Sequence, residues 1–169
     1  IVTLTYPHIG NYGVNAEDVE ARKVHAAGLV IRDLPVLESN FRMTMTLPQY
    51  LQREGTVAIA NIDTRKLTRI LRNKGAQNGC IFTLPLGRKI SPEQIAAAIA
   101  SARAAPSMAG LDLAKEVSGH QPIDWSQGEW ALGSGYGPGS ARKFHVVAYD
   151  FGVKHNILRM LASRGCKVT

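Results

Sequence analysis

"VVAYDFGVKHNILRMLASRGCKVT" runs from Val146 to Thr169, and its reading decides the fold. Val146–Asp150 is a short apolar run that ends in Asp-Phe-Gly. Behind it, Ile157, Leu158 and Leu161 fall on one face of a helical pattern that Gly165 stops. Cys166–Thr169 then reads as the start of a further strand. A strand, a loop and a helix make the first half of a βαβ motif, the hallmark of a parallel α/β sheet. The expectation is an α/β domain that begins in these residues and is left without a partner for its second strand. The first residues, Ile-Val-Thr-Leu-Thr-Tyr, carry no basic n-region or cleavage signal and read as a strand from inside a fold. Both ends therefore read as cut.

Composition agrees with a globular chain. Of 169 residues, 45% are hydrophobic, which suffices for one full core and part of another. Charged residues at 20% argue against disorder, and no apolar run approaches the ~20 residues needed to span a bilayer. Two cysteines, Cys80 and Cys166, are too few for a disulfide framework, so a cytoplasmic protein is expected. The formal charge of +7 admits an acidic partner. The cations are dispersed and not interleaved with aromatics, so a nucleic-acid partner is not expected.

Outward from the opening stretch, short strands and helices alternate. Ile1–Tyr6, Ala27–Arg32, Val57–Ile62 and Cys80–Leu84 read as strands, and Ala16–Arg22 as a short helix or turn. Leu47–Arg53 reads as a helix with Thr46 at its N-cap and Gly55 beyond its end. Ser91-Pro92-Glu93 opens an alanine-rich helix that forms readily but buries little. Periodicity fades after Pro106, and "GSGYGPGSARK" reads as a Gly/Ser/Pro linker. The expected organisation is a first domain over residues 1–120, a linker over 121–143, and a second domain beginning at 144.

"DTRKLTRILRNKG", from Asp63 to Gly75, is the best-defined element. Asp63 is a natural N-cap, Leu67, Ile70 and Leu71 make the apolar stripe, and Gly75 is the stop. Arg69, Arg72 and Lys74 lie towards the negative end of the helix dipole. This is either an ordinary amphipathic surface helix or a basic face that docks an acidic partner. Catalytic signals are missing: there is no Gly-x-Gly-x-x-Gly or P-loop motif. His8, His25, His120, His145 and His155 give no zinc spacing with the cysteines. Neither Cys80 nor Cys166 sits on the strand-to-helix turn that would activate a thiol, and both read as small hydrophobes.

Several segments occur here in an order that carries a family resemblance. They are "LTYPHIGNYG", "KVHAAGLVIRDLP", "SNFR", "IDTRKLTRILRNKGAQNGCI", "GLDLAKEVS" and "HVVAYDFGVKHNILRMLASRGC". Together they closely resemble the small subunit of glutamine-hydrolysing carbamoyl-phosphate synthetase. The resemblance implies an N-terminal α/β domain peculiar to that subunit, followed by a class I glutamine amidotransferase domain whose first strand ends at Asp150. It implies a large-subunit partner that uses ATP and magnesium, L-glutamine as substrate of the complete protein, no cofactor in this subunit, and a place in pyrimidine and arginine biosynthesis. In the family a cysteine nucleophile on a Gly-x-Cys-x-Gly elbow, with a histidine and a glutamate, frees ammonia from glutamine; no residue here matches those positions. The chain alone is therefore expected to be inactive. Interface or near-site candidates are Asp63, Arg65, Arg69 and Arg72 on the basic helix, and Asp150 and Lys154 at the carboxyl end of the last apolar run. For Asp150 and Lys154 a local ion pair bracketing a turn is the competing reading. The alternative function is a non-catalytic interaction domain of another amidotransferase complex.

Overall fold

Parallel strands cannot be joined by a tight turn, so each must be separated from the next by a crossover. The computed structural model describes residues 1–169 and shows this arrangement twice. The chain divides into two compact units: Ile1–Asp18 with Lys23–Leu111, and Val19–Arg22 with Asp112–Thr169.

The first unit holds a parallel sheet of β1 (Val2–Thr3), β2 (Gly28–Val30) and β3 (Val57–Ile59), in that spatial order. Val30 and Ile31 are buried at its centre. Gly28 stands at a close approach: a Cβ there would meet Ile81 Cδ1 at 3.1 Å and Val57 Cγ2 at 3.3 Å, so these side chains would have to shift by a few tenths of an ångström. The expected strand Val57–Ile62 stops at Ile59, because Asn61 turns the backbone into the left-handed region at φ 63°. The expected strand Cys80–Leu84 does not form; those residues have no place in a ladder.

Helices of this unit follow their caps. In α1 (Leu47–Arg53) Thr46 and Gln49 exchange side-chain-to-backbone hydrogen bonds, a complete capping box. Asp63 caps α2 (Thr64–Lys74) by accepting from Lys66 N at 2.9 Å, and Gly75 ends it at φ 79°. Ser91 and Gln94 box the start of α3 (Pro92–Ala104), which buries no residue, in keeping with its alanine content.

The second unit contains a short helix α4 (Leu113–Val117), a hairpin of β4 (Gln127–Ala131) and β5 (Gly135–Pro138), then β6 (Phe144–Val146), α5 (His155–Ser163) and β7 (Cys166–Val168). Residues 121–143, expected as a linker, contain this hairpin. Gly133 (φ 84°) and Gly135 (φ 69°) serve the hairpin turn, and Trp130 pairs with Tyr136 across it. Gly139 belongs to packing as well: a Cβ there would lie 2.8 Å from the Ala162 carbonyl oxygen of α5. The strand at the chain's end also finds a partner. β7 pairs in parallel with β6, Phe144 opposite Cys166 and Val146 opposite Val168, which closes a β6–α5–β7 unit. Leu158, Ala162 and Val168 form its core, whereas Ile157, expected on the apolar face, is half exposed.

Candidate functional site

The six candidates fall in two places. Asp63, Arg65, Arg69 and Arg72 share the head and outer face of α2, in the first unit. At 100° per residue, positions 65, 69 and 72 form one stripe, across the helix from half-buried Leu67 and Leu71. Asp63, Arg65, Lys66, Arg69, Ile70 and Asn73 line a shallow depression of about 450 Å³. None of Arg65, Lys66, Arg69, Arg72 and Lys74 has a carboxylate within ion-pair distance; the ion pairs of the molecule lie elsewhere. Asp63, the acid nearest in sequence, is engaged in capping.

This crowding works against the helix. Arg65 and Arg69 are an i, i+4 pair of like charges and Arg69 and Arg72 an i, i+3 pair, each costing about 0.2–0.5 kcal/mol. Arg65 and Lys66 occupy the first turn, where the positive end of the macrodipole favours acids. Arg72 and Lys74 in the last turn are placed favourably. Ile70 adds an apolar side chain, 40% exposed, to the cationic surface.

Asp150 and Lys154 belong to the second unit. The ion pair weighed for them is not formed, because the Asp150 carboxylate is taken up by backbone. Its Oδ1 accepts from Gly152 N and Val153 N, both at 2.8 Å, and its Oδ2 accepts from Gly119 N at 2.8 Å. The Val153 N–H chiefly holds this carboxyl below the usual aspartate range, aided by Gly152, Gly119 and the Arg22 charge against a partial desolvation. Asp150 is thus a clasp that ties the loop after β6 to the segment after α4. Lys154 stands exposed at the N-cap of α5 and makes no capping bond.

Sequence reasoning missed the most unusual side chain. Arg159, on α5, is 5% exposed. Its Nε donates to Gln127 Oε1 at 2.9 Å, its guanidinium lies 3.9 Å from the Tyr136 ring centroid, and Glu20 Oε1 stands 3.9 Å from Nη1. Glu20 also receives two N–H groups at the head of α5, that of Asn156 on its carboxylate at 2.8 Å and that of His155 on its backbone carbonyl at 3.3 Å. An arginine inside a short helix reads as solvated surface, and no local signal marks its partners, which come from distant segments. Cys80 is exposed and Cys166 lies in β7; both are free thiols. No group of three or more His, Cys, Asp or Glu side chains stands close enough to hold a metal ion, and no helix is long and apolar enough to cross a membrane.

Comparison with known proteins shows what the chain is similar to. Residues 1–81 match the family model described as "Carbamoyl-phosphate synthase small chain, CPSase domain". The carbamoyl phosphate synthase small chain of Rubrivivax gelatinosus is 67% identical over 169 residues, all of this chain and 44% of that protein. Those of Ralstonia nicotianae and Thioalkalivibrio sulfidiphilus are 65% and 62% identical, again over all of this chain and 43% of each protein. The chain is similar to carbamoyl phosphate synthase small chains along its whole length. It spans less than half the length of these small-chain relatives. The family model covers the first unit's sheet and α2, and the small-chain likeness runs on through α3 and the whole second unit to Thr169.

Proposed function

We propose that these residues serve within the small subunit of a glutamine-hydrolysing carbamoyl-phosphate synthetase, which frees ammonia from L-glutamine for a large subunit. There ATP, with magnesium, activates bicarbonate, and the product is carbamoyl phosphate for pyrimidine and arginine synthesis in the cytoplasm. The observation that carries this reading is the 67% identity to a carbamoyl phosphate synthase small chain along all 169 residues. The physical reading of the residues is consistent with a supporting role. The two thiols have neither a helix N-terminus nor a partnering imidazole to activate them, so these 169 residues hydrolyse no glutamine by themselves. Their part is scaffold and contact surface: Asp150 holds the loop behind β6, Lys154 stands free at the head of α5, and Asp63 with the α2 arginines faces a partner.

The test is reconstitution. The intact small chain carrying these residues is co-expressed with its large chain, and carbamoyl phosphate is measured with glutamine or with ammonium as nitrogen donor. Glutamine-dependent synthesis that requires the small chain is expected. Synthesis from ammonium alone, unaltered by the small chain, would overturn the assignment.

A further inference from the structure

α2 breaks a local rule without a structural return. Two cations occupy its first turn, three arginines repeat at i, i+4 and i+7, and no carboxylate of these 169 residues answers them. Local choices that oppose the element they sit in are where a sequence serves something besides folding. We propose that the outer face of α2 is a recognition surface for an acidic protein segment, with Arg65, Arg69 and Arg72 reading its carboxylates.

Geometry defines the occupant. From Arg65 to Arg72 the helix rises about 10 Å, with about 6 Å between Arg65 and Arg69 and 4.5 Å between Arg69 and Arg72. Carboxylates at i, i+3 and i+7 on a partner helix show this spacing when read from its C-terminal end, so an acidic helix laid antiparallel along α2 meets three guanidiniums in register. Guanidinium presents paired N–H donors in a plane and binds carboxylate bidentately, which is why arginine rather than lysine suits the central stripe. The depression lined by Asp63, Arg65, Lys66, Arg69, Ile70 and Asn73 gives one carboxylate a place between two cations beside an apolar side chain. A single-stranded nucleic acid would need aromatic platforms for its bases, and no aromatic residue lines this surface. A protein segment is therefore the occupant. Resting on the function proposed above, that segment lies on the large chain.

The experiment is association of the intact small chain with its large chain by stopped flow at about 20 and 300 mM salt, comparing wild type with Arg65→Glu/Arg69→Glu. Rim charges act mainly on association rate and its salt dependence. The double reversal is expected to slow association at least tenfold at low salt and to flatten the salt dependence, because screening already removes the attraction at 300 mM. An acid at position 65 favours the start of the helix, so circular dichroism should be unchanged. The matched reversal Arg88→Glu/Arg103→Glu, outside α2, should leave the rate within twofold. If wild type associates and the α2 reversal changes nothing at low salt, the inference fails while the assignment stands. If wild type does not associate with the large chain, both fail. If α2 instead binds a single-stranded oligonucleotide in a manner the reversal abolishes, the occupant is a nucleic acid and the proposal is overturned.

Discussion

Replacing Asp150 separates the two oxygens of its carboxylate, which do different work. Oδ1 holds Gly152 N and Val153 N inside the turn, and Oδ2 reaches Gly119 N, 31 residues away. Each is a charge-assisted bond, part-buried at Val153 and exposed at Gly152 and Gly119, comparable with a helix N-cap at about 1 kcal/mol. Asp150→Ala should therefore cost about 3 kcal/mol. That is a large share for a small unit whose stability runs at about 0.05–0.15 kcal/mol per residue. Asp150→Asn discriminates further. The amide keeps two of the three bonds by turning its oxygen to Gly152 and Val153, which sets its NH2 donor against the Gly119 N–H. The expected cost is about 1–2 kcal/mol, concentrated on one contact. Equilibrium denaturation reads the totals, and native-state hydrogen exchange reads the distribution: in Asp150→Asn the Gly119 amide should lose protection while Val153 retains it. The carboxyl's lowered pKa also sets a pH limb. A depressed folded pKa gives stability that is complete above the unfolded value, about pH 3.9, and is lost as pH falls through the folded one. The gap between wild type and Asp150→Asn should close on that descent. Variants within 0.5 kcal/mol of wild type, or exposure of Val153 before Gly119, would refute the clasp.

Further outcomes follow from the same contacts. Arg159→Ala removes the bond to Gln127 and the stack on Tyr136, and should destabilise by about 2–3 kcal/mol. Arg159→Met restores apolar packing and should recover at least half of that loss in the same denaturation assay. The 169-residue chain mixed with glutamine should release no ammonia above background; release abolished by alkylating Cys80 or Cys166 would overturn the proposed scaffold role of these residues.

What the sequence disclosed depended on how local its physics was. α1, α2 and α3 begin where Thr46, Asp63 and Ser91 said they would, since a cap and the amide it satisfies lie within three residues. The arginine stripe of α2 was likewise legible from spacing. Strand limits were less so: Asn61 entering the left-handed region ended β3 early, and Cys80–Leu84 has strand composition without a neighbour to pair with. The Gly- and Ser-rich run after Ala131 concealed a hairpin, because the residues that permit a tight turn are also those of a linker. Asp150 was noticed as a carboxylate at a strand end, but its third partner, Gly119, carries no side chain and leaves no trace in a motif. Arg159 and Glu20 were missed for the same reason on a larger scale.

The bond from Asn156 N to Glu20 spans 136 residues, and it has a consequence for the order in which the chain assembles. Translation at about 5–20 residues per second makes Glu20 some 7–27 s older than the helix head it completes. Through that interval the peptide Val19–Arg22 has no helix to bind, and α5, once made, must recruit a strip of chain that was synthesised long before it. Such a contact closes late, after the local caps and the hairpin are in place, and its loop entropy falls on the final step. A single cut at Leu111 would therefore not yield an intact second unit: the piece Asp112–Thr169 would lack Glu20, and the head of α5 would fray until a peptide containing residues 19–22 were supplied in trans.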